Sequence, residues 1–336
     1  MTPSTHAPVA RATLTGATLA GVVVVGSINA DQVTTVLRHP LPGETLIGTS
    51  ITVLPGGKGA NQAVAAAQLG ARVSMVGAIG QDALASSATA ILESAKVDLS
   101  AVLAVAGPTG LAVITVADDG ENTIIVIPGA NAAVDADIVG QSADLIAAAA
   151  VLVLQGEIPA AASAAAARLA RGRVVLNLAP VIELDPETIA AADPLIVNEH
   201  EAALLLAQLT PGAPPPVSDA EAVARLRDWG VTSVVLTRGA LGAIVSDADG
   251  TDAVASPVVV AVDSSGAGDA FVGALSARLA AGDTLREAAR LAVRVGAFAV
   301  QSRGTQPSYP HAGDILPEVR AEVRTDFATE KNEAHP

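Results

Sequence analysis

The chain has 336 residues, 51% of them hydrophobic, which suits one large α/β domain or two small ones with a sizeable core. Aromatic residues make up only 1% of it, which excludes an RNA-binding surface of stacked rings. A formal net charge of -15 disfavours nucleic acids and anionic membranes as partners, and the lack of cysteine excludes disulfides, thiolate metal sites and cysteine nucleophiles. The composition favours a protein that handles small molecules.

The N-terminal region has two interpretations. Arg11 followed by an apolar stretch has the layout of a secretory signal, whereas the run GVVVVGS (21–27) is typical of a first buried parallel strand. We favour the strand, with residues 1–18 as a disordered tail. No apolar run reaches the length of a membrane span, and we expect a cytoplasmic protein.

Short β-branched runs then alternate with alanine-rich helical runs, which predicts an α/β fold with a mostly parallel central sheet and helices on both faces. The predicted strands are 21–25, 73–76, 151–154, 174–178, 195–197, 234–236 and 243–245. The predicted helices include 61–69, 82–94, 160–170 and 220–229, the last with a capping box of Ser218 and Glu221.

Residues 31–54 and 110–127 break this alternation. They predict strands with turns, the second stretch being a hairpin around DDGE (118–121). A small sheet of this kind is marginal in isolation, so we expect it to form a β-sheet lid over the strand ends and to mediate a homodimer. The α/β domain then covers 19–316, and 317–336 form a charged tail.

The stretch PGGKGANQAVAAAQLG (55–70) places a lysine among three glycines at the start of an apolar helix. It fails as a Walker A loop, because Gly59 stands where Ser or Thr is required and Thr52 stands where the first glycine is required. The glycines still allow a ligand to approach the bare backbone, and the helix directs unpaired N–H groups at it. The loop therefore predicts a polar ligand that need not be a nucleotide.

A second glycine loop, VDSSGAGDAFVGALSARLAAG (262–282), leads into a helix with Phe271, Leu275 and Leu279 on one face. Asp269 lies in the first turn of this helix. It either favours the helix N-terminus as many acids do, or it receives a proton while the loop N–H groups bind a phosphoryl group.

Five motifs together resemble the ribokinase family of sugar kinases: GSINAD (26–31), GGKGANQAVAA (56–66), NLAP (177–180), NEHE (198–201) and DSSGAGD (263–269). They occur in family order, and the resemblance extends over about residues 21–316. It implies the ribokinase-like fold and an enzyme that transfers a phosphoryl group from ATP to the 5-hydroxyl of D-ribose. It also implies Asp269 as the catalytic base.

The resemblance assigns the first glycine loop to the sugar. It implies that a pentose is bound by polar groups at two strand ends and in this loop, together with the base: Asn29, Asp31, Gly57, Lys58, Asn61, Glu157 and Asp269. Such residues suit a polyol, which offers many donors and acceptors. Turn chemistry at a strand exit is the alternative for Asn29 and Asp31.

The resemblance implies that ATP lies at the second loop, bound by Asn198, Thr237, Gly239, Gly242, Gly266, Ala267 and Gly268. Glu201 matches the acid that holds Mg²⁺ through water, and a solvated helix charge is the alternative. Val197 departs from the family pattern, in which proline often precedes the asparagine.

The segment SRGTQPS (302–308) resembles the family's monovalent-cation loop. It implies that K⁺ acts as an activator, bound by carboxylate and backbone oxygens of Asp263, Ser265, Ala299, Ser302, Gly304 and Ser308.

Other activities stay open from the sequence. A deoxyribokinase, a fructokinase or a nucleoside kinase differs from a ribose kinase in few side chains. A non-catalytic sugar sensor on the same scaffold belongs to a different class, because fold does not fix function. The presence of Asp269 with both glycines disfavours the inactive protein.

Overall fold

A computed structural model describes residues 21–319, so the tail predicted for 1–18 and most of the one predicted for 317–336 lie outside the described residues. The strands in this range are β1 (Val22–Val25), β2 (Asn29–Val36), β3 (Ser50–Gly56), β4 (Val73–Ile79), β5 (Asp98–Ala104), β6 (Gly110–Ala117), β7 (Asn122–Ile127), β8 (Val151–Gln155), β9 (Arg173–Asn177), β10 (Ala192–Asn198), β11 (Val234–Thr237), β12 (Ala243–Asp247) and β13 (Gly250–Val254). The α-helices are α1 (Lys58–Gln68), α2 (Leu84–Ser94), α3 (Ala136–Gln141), α4 (Ala143–Ala148), α5 (Ala160–Leu169), α6 (Pro186–Ala190), α7 (Glu199–Leu209), α8 (Asp219–Trp229), α9 (Ala267–Ala280) and α10 (Leu285–Ala299).

The central sheet has nine strands within the described residues, in the order β13-β12-β11-β10-β9-β8-β1-β4-β5. Seven neighbouring strands of this sheet run parallel to one another: β5, β4, β1, β8, β9, β10 and β11. The last two, β12 and β13, are antiparallel to their neighbours. The predicted mostly parallel sheet is thus confirmed. Sequence analysis missed β5 and β13, which lie at the two edges of the sheet. β13 (GTDAV) has no continuous apolar run, whereas the apolar run AVLAVA (101–106) that β5 enters was not recognised as a strand.

Both faces of the sheet are covered, as predicted. In β1, Val22 and Val24 pack in a core with residues of α1, α2, α9 and α10. Val23 and Val25 point to the opposite face, where residues of α3 to α8 form the second core. Side chains alternate between faces along a strand, so a strand buried on both sides needs an unbroken apolar run, which VVVV supplies.

A separate four-stranded sheet, in the order β3-β2-β6-β7, forms the lid. β6 and β7 make the predicted hairpin, with Gly120 at φ 89° in the turn. β2 pairs antiparallel with β3 and parallel with β6, so β2 joins the hairpin to the 31–54 segment. The lid strand β2 begins at Asn29, with only three residues between it and the end of β1, which places the lid beside the carboxyl end of β1.

Two local features differ from expectation or go beyond it. The Ser218 side chain caps α8, but the Glu221 carboxylate accepts from the backbone N–H of Val217, so the capping box predicted with Ser218 is only half formed. Complete capping boxes occur at α7 and α10, where Asn198 pairs with Glu201 and Thr284 with Glu287. Within residues 21–319, none of the helices combines the length and the hydropathy needed to cross a membrane.

Candidate active site

A crevice lies at the carboxyl ends of five neighbouring parallel strands of the central sheet, β1, β8, β9, β10 and β11. Polar residues lie at or just beyond these ends: Asn29, Glu157, Asn177, Asn198 and Thr237. The strand order reverses at β1, since the chain continues to β4 on one side of it and reaches β8 on the other. Ligands of open α/β sheets bind in the crevice at such a switch point.

The two glycine loops meet at this crevice. Helices α1 and α9 follow the two loops and pack closely, because a Cβ atom on Gly273 would lie 2.6 Å from the carbonyl oxygen of Gln62. At their N-terminal ends, Asn61 Nδ2 donates to Asp269 Oδ2 at 2.9 Å. Asp269 is buried, with 6% of its surface exposed. The predicted sugar loop and the predicted phosphate loop are therefore joined at one carboxylate.

The residues predicted for the sugar lie around this carboxylate, and two further residues support them. Glu157 Oε2 accepts from Ser27 Oγ at 2.6 Å and from the backbone N–H of Lys58 at 2.9 Å. Asn29 Oδ1 accepts from Asn131 Nδ2 at 2.7 Å. Ser27 and Asn131 were missed; Ser27 lies within GSINAD, whereas nothing local singles out Asn131.

Charge is concentrated in this crevice. Burial, together with the negative charges of Glu157 and Asp269, raises the pKa of Asp31 to about 7. The charge of Asp269 raises the pKa of Lys58, and Glu157 and Glu201 act in the same direction while burial opposes them. A half-buried lysine thus lies among carboxylates, in an environment that favours its charged form.

Asp31 also has unused hydrogen-bonding capacity. Its Oδ1 is a buried atom with no hydrogen-bond partner among the described residues. The carboxyl group lies against Gly56, where an added Cβ would come within 2.3 Å of both oxygens. The absence of a side chain at Gly56 therefore leaves room for the Asp31 carboxylate. This carboxylate can accept a hydrogen bond from a hydroxyl group of a ligand.

Four of the residues predicted for the nucleotide lie at or just after the ends of two strands, β10 and β11. Asn198 Oδ1 accepts from the backbone N–H of Glu201 at 2.8 Å, and Glu201 Oε2 accepts from the backbone N–H of Asn198 at 2.9 Å. Thr237 ends β11, and Gly239 and Gly242 both have positive φ. A Cβ on Gly242 would lie 2.0 Å from the carbonyl oxygen of Val254, so this position requires glycine.

Glu201 is held by its helix cap rather than being a freely solvated charge. Burial raises its pKa, although the hydrogen bond from the backbone of Asn198 opposes this. Among residues 21–319, no cluster of three or more His, Asp or Glu side chains could hold a metal ion by itself. Mg²⁺ typically needs only one or two protein carboxylates when phosphate oxygens and water complete its shell, so Glu201 fits such a site.

Gly266 is the N-cap residue of α9 and has φ 72°. A Cβ on Gly266 would lie 2.1 Å from Thr305 Cγ2, whereas a Cβ on Gly268 would meet nothing within 4 Å. Tyr309, which the sequence analysis missed, donates from its hydroxyl to the carbonyl oxygen of Gly266 at 3.1 Å. The start of α9 is therefore packed on one side by the 302–309 segment and open beside Gly268.

The residues predicted for K⁺ lie in two segments that are bonded to each other. Asp263 Oδ1 accepts from the backbone N–H of Ser265 and Oδ2 from that of Gly304, each at 2.9 Å. Burial opposes ionisation of Asp263, but these hydrogen bonds lower its pKa overall. Nearby, the backbone N–H of Ser302 bonds to the carbonyl of Ala299, and Ser308 Oγ donates to the carbonyl of Thr305. The available donor set consists of oxygen atoms, which suits K⁺.

Comparisons with known proteins agree with this geometry. Residues 19–312 match the model of the pfkB family carbohydrate kinases. A ribokinase from Schizosaccharomyces pombe is 37% identical over 302 residues, covering 86% of this chain and 94% of the relative. A ribokinase structure from Thermotoga maritima has a TM-score of 0.81 at 31% identity, covering 87% of this chain and 97% of that one. A ribokinase from Arabidopsis thaliana complexed with ribose and ATP has a TM-score of 0.79 at 31% identity, covering 87% and 96%. The resemblance that the motifs indicated is confirmed, and the chain belongs to the pfkB family of carbohydrate kinases.

Proposed function

We propose that the protein transfers the γ-phosphoryl group of ATP to the 5-hydroxyl of D-ribose. The observation that carries this proposal is the hydrogen bond between Asn61 and Asp269, which joins the two glycine loops at a buried carboxylate. The S. pombe relative is a ribokinase, and the A. thaliana structure holds ribose and ATP, which supports the same pair of substrates here. The product would feed ribose into central metabolism.

The sugar occupies the crevice under the lid in this proposal. Asp31 Oδ1, which is buried and has no hydrogen-bond partner among the described residues, accepts a hydrogen bond from a ring hydroxyl. Asn29, Lys58 and Asn61 supply donors, and Glu157 and Gly57 complete the wall. A polyol satisfies such a set because each hydroxyl both donates and accepts. Closure of the lid over the sugar would exclude water and limit hydrolysis of ATP.

ATP lies at the N-terminus of α9 in this proposal. The backbone of Gly266, Ala267 and Gly268 faces the transferred phosphoryl group. The N–H groups of Gly266 and Gly268 would bind it, whereas the N–H of Ala267 donates to the carbonyl oxygen of Ser264 in this structure, and the open space beside Gly268 leaves room for the phosphoryl group. Asn198, Thr237, Gly239 and Gly242 line the remainder of the nucleotide site. Glu201 would hold Mg²⁺ through water, and this ion supplies charge neutralisation of the phosphate oxygens.

The chemical step needs one proton acceptor. Asp269 orients the 5-hydroxyl and takes its proton as the new O–P bond forms and the bond between the β- and γ-phosphates breaks, which releases ADP. Phosphoryl transfer depends mostly on positioning and electrostatic stabilisation, so the helix N-terminus and Lys58 assist by opposing negative charge.

The proposal includes K⁺ and a homodimer. K⁺ would bind oxygen atoms of Asp263, Ser265, Ala299, Ser302, Gly304 and Ser308 and stabilise the adjoining start of α9.

The dimer would form through the lid face opposite Asp31, where strand register and alternation place Ile51, Val53, Ile125 and Ile127 together, each at least 40% exposed. Because ATP is a cytoplasmic substrate, we include a cytoplasmic location.

A sugar panel in an assay that couples ADP release to NADH oxidation tests this function. We expect D-ribose to give the highest kcat/KM. 2-Deoxyribose should be at least about tenfold poorer, because a site built for a hydroxyl is left with unpaired polar groups. If 2-deoxyribose, fructose or a nucleoside gives a higher kcat/KM than ribose, that compound replaces ribose as the proposed substrate. Sugar binding in calorimetry without ADP release would instead indicate the non-catalytic sensor.

A further inference from the structure

We propose that Gln62 is a positioning residue that holds the carboxylate of Asp269 in its reactive orientation, an inference that rests on the proposed role of Asp269 as the base. Gln62 follows Asn61 in α1 and is 1% exposed. Its Nε2 donates to Asp269 Oδ1 at 2.9 Å, while Asn61 Nδ2 donates to Oδ2. Each oxygen of the carboxylate is therefore held by a different side-chain amide.

The Gln62 amide is itself held at both of its ends. Its Nε2 also donates to Asn177 Oδ1 at 2.9 Å, and its Oε1 accepts from Gln155 Nε2 at 2.8 Å. Gln155 ends β8 and Asn177 ends β9, so two central strands fix a side chain that comes from a helix. A side chain held in three hydrogen bonds has little freedom to rotate.

The opposite oxygen of Asp269 is held in the same way. Gln306 Nε2 donates to Asn61 Oδ1 at 2.9 Å, and Asn61 Nδ2 donates to Asp269. On both sides of the carboxylate, an outer glutamine donates to an inner amide, which donates to Asp269. These five side chains are all less than 10% exposed.

The direction of these hydrogen bonds follows from the charge of Asp269. Turning the amide of Gln62 would place its Oε1 against a carboxylate oxygen and its Nε2 against the donor of Gln155, which opposes like groups. Among the described residues, the outer carbonyl oxygens of Gln155 and Gln306 have no hydrogen-bond partner. The amides are thus arranged to donate toward Asp269 even though acceptor capacity farther out is left unused.

This arrangement has a consequence for catalysis. Asn61 and Gln62 occupy one direction at each carboxylate oxygen, and the carboxylate plane cannot turn without breaking both bonds. A remaining lone pair then has a fixed direction toward the crevice, where the 5-hydroxyl would lie. A displacement of about 1 Å in a reacting group can lower a rate about 10²-fold, so the rate should depend on Gln62.

The test compares Gln62→Met with Gln68→Met, a matched substitution on the same helix. Gln68 is the last residue of α1, and its Oε1 has no hydrogen-bond partner among the described residues, so its variant should keep wild-type rates. We expect Gln62→Met to lower kcat about 10- to 100-fold while the KM values for ribose and ATP stay within about threefold. The Kd of ribose from calorimetry should also stay unchanged, because Gln62 is not assigned to the sugar.

An unchanged kcat in Gln62→Met beside an active wild type would overturn the positioning role. A fall in kcat that is accompanied by a comparable fold-loss of ribose affinity and by a lower Tm would also overturn it, because such a pattern indicates a structural role only. If Gln62→Met does not fold, Gln155→Met removes the bond to Gln62 Oε1 without touching Asp269, and a kcat equal to wild type there also refutes the proposal. Failure of the wild type to phosphorylate any sugar would instead refute the proposed function.

Discussion

Asn61 and Asp269 lie 208 positions apart in the chain, yet Asn61 Nδ2 donates to Asp269 Oδ2 at 2.9 Å in a buried contact. One residue belongs to the loop predicted for the sugar and the other to the loop predicted for the phosphate. The contact joins α1 to α9, so a side chain of the predicted sugar loop touches the proposed base directly. In physical terms, the acceptor hydroxyl and the phosphoryl group can meet at this carboxylate.

The first prediction concerns Asp269. Asp269→Asn keeps the size of the side chain but removes the proton acceptor, so kcat should fall on the order of 10²- to 10⁴-fold. Binding of ATP, measured by calorimetry, should stay close to wild type because the N-terminus of α9 is retained. Turnover close to wild type in a folded Asp269→Asn protein would contradict the assignment. Circular dichroism supplies the control for folding.

The sequence predicts most of the central fold because parallel strands buried on both faces need short, unbroken apolar runs, as in Val22–Val25. The family resemblance supplies Asn29 and Glu157 as site residues, and the structure places both just beyond the carboxyl ends of strands, β1 and β8. The sequence does not predict the bonds of Gln62 to Gln155 and Asp269, which span 93 and 207 positions. These bonds depend on how α1 is rotated against the sheet, and no local pattern records that rotation.

The second prediction separates two glycines of one loop. Gly266→Ala should lower Tm and kcat, because φ 72° costs a residue with a Cβ about 1–2 kcal/mol and that atom would collide with Thr305. Gly268→Ala should keep or raise Tm, since its Cβ meets nothing within 4 Å and alanine favours a helix. It should nevertheless raise the KM of ATP if the phosphoryl group lies there. Equal Tm values for both variants would refute the packing argument.

The third prediction concerns K⁺. The rate should be severalfold higher in KCl than in tetramethylammonium chloride at equal ionic strength and constant Mg²⁺, because the ion would fix the loop beside Gly266. Tm should change less than the rate. Asp263→Ala should remove the difference between the two salts, since it removes the only side-chain carboxylate assigned to this site. Equal wild-type rates in both salts would argue against a monovalent-cation site.

The fourth prediction concerns the lid. Light scattering should give twice the mass of one chain for the wild type. Ile125→Asp should give a monomer, because it places a charge at an exposed apolar position of β7, where Ile125 is 65% exposed. Val258→Asp is the matched control, since Val258 is 92% exposed outside the lid, and this variant should stay dimeric. A monomeric wild type at micromolar concentration would remove the dimer from the proposal.

The fifth prediction concerns the pH dependence of ribose binding. The pKa of Asp31 is raised from 3.8 to about 7 by burial and by Glu157 and Asp269, so the free protein ionises this group only near neutral pH. If the ionised form accepts a ribose hydroxyl, the apparent Kd should fall about tenfold from pH 6 to pH 8, following the ionised fraction.

Ionisation of Asp31 at higher pH should strengthen ribose binding but lower the stability of the folded protein. A carboxyl whose pKa is raised in the folded state penalises folding once it ionises; this penalty is absent below pH 3.8 and complete above about pH 7. Asp31→Asn removes that penalty, so its Tm should exceed that of the wild type by more at pH 8 than at pH 5. The same variant should bind ribose more weakly and lose the pH dependence of Kd, while its ATP affinity stays near that of the wild type. A wild-type Kd that is flat between pH 6 and pH 8 would show that ionisation of Asp31 is not linked to the sugar.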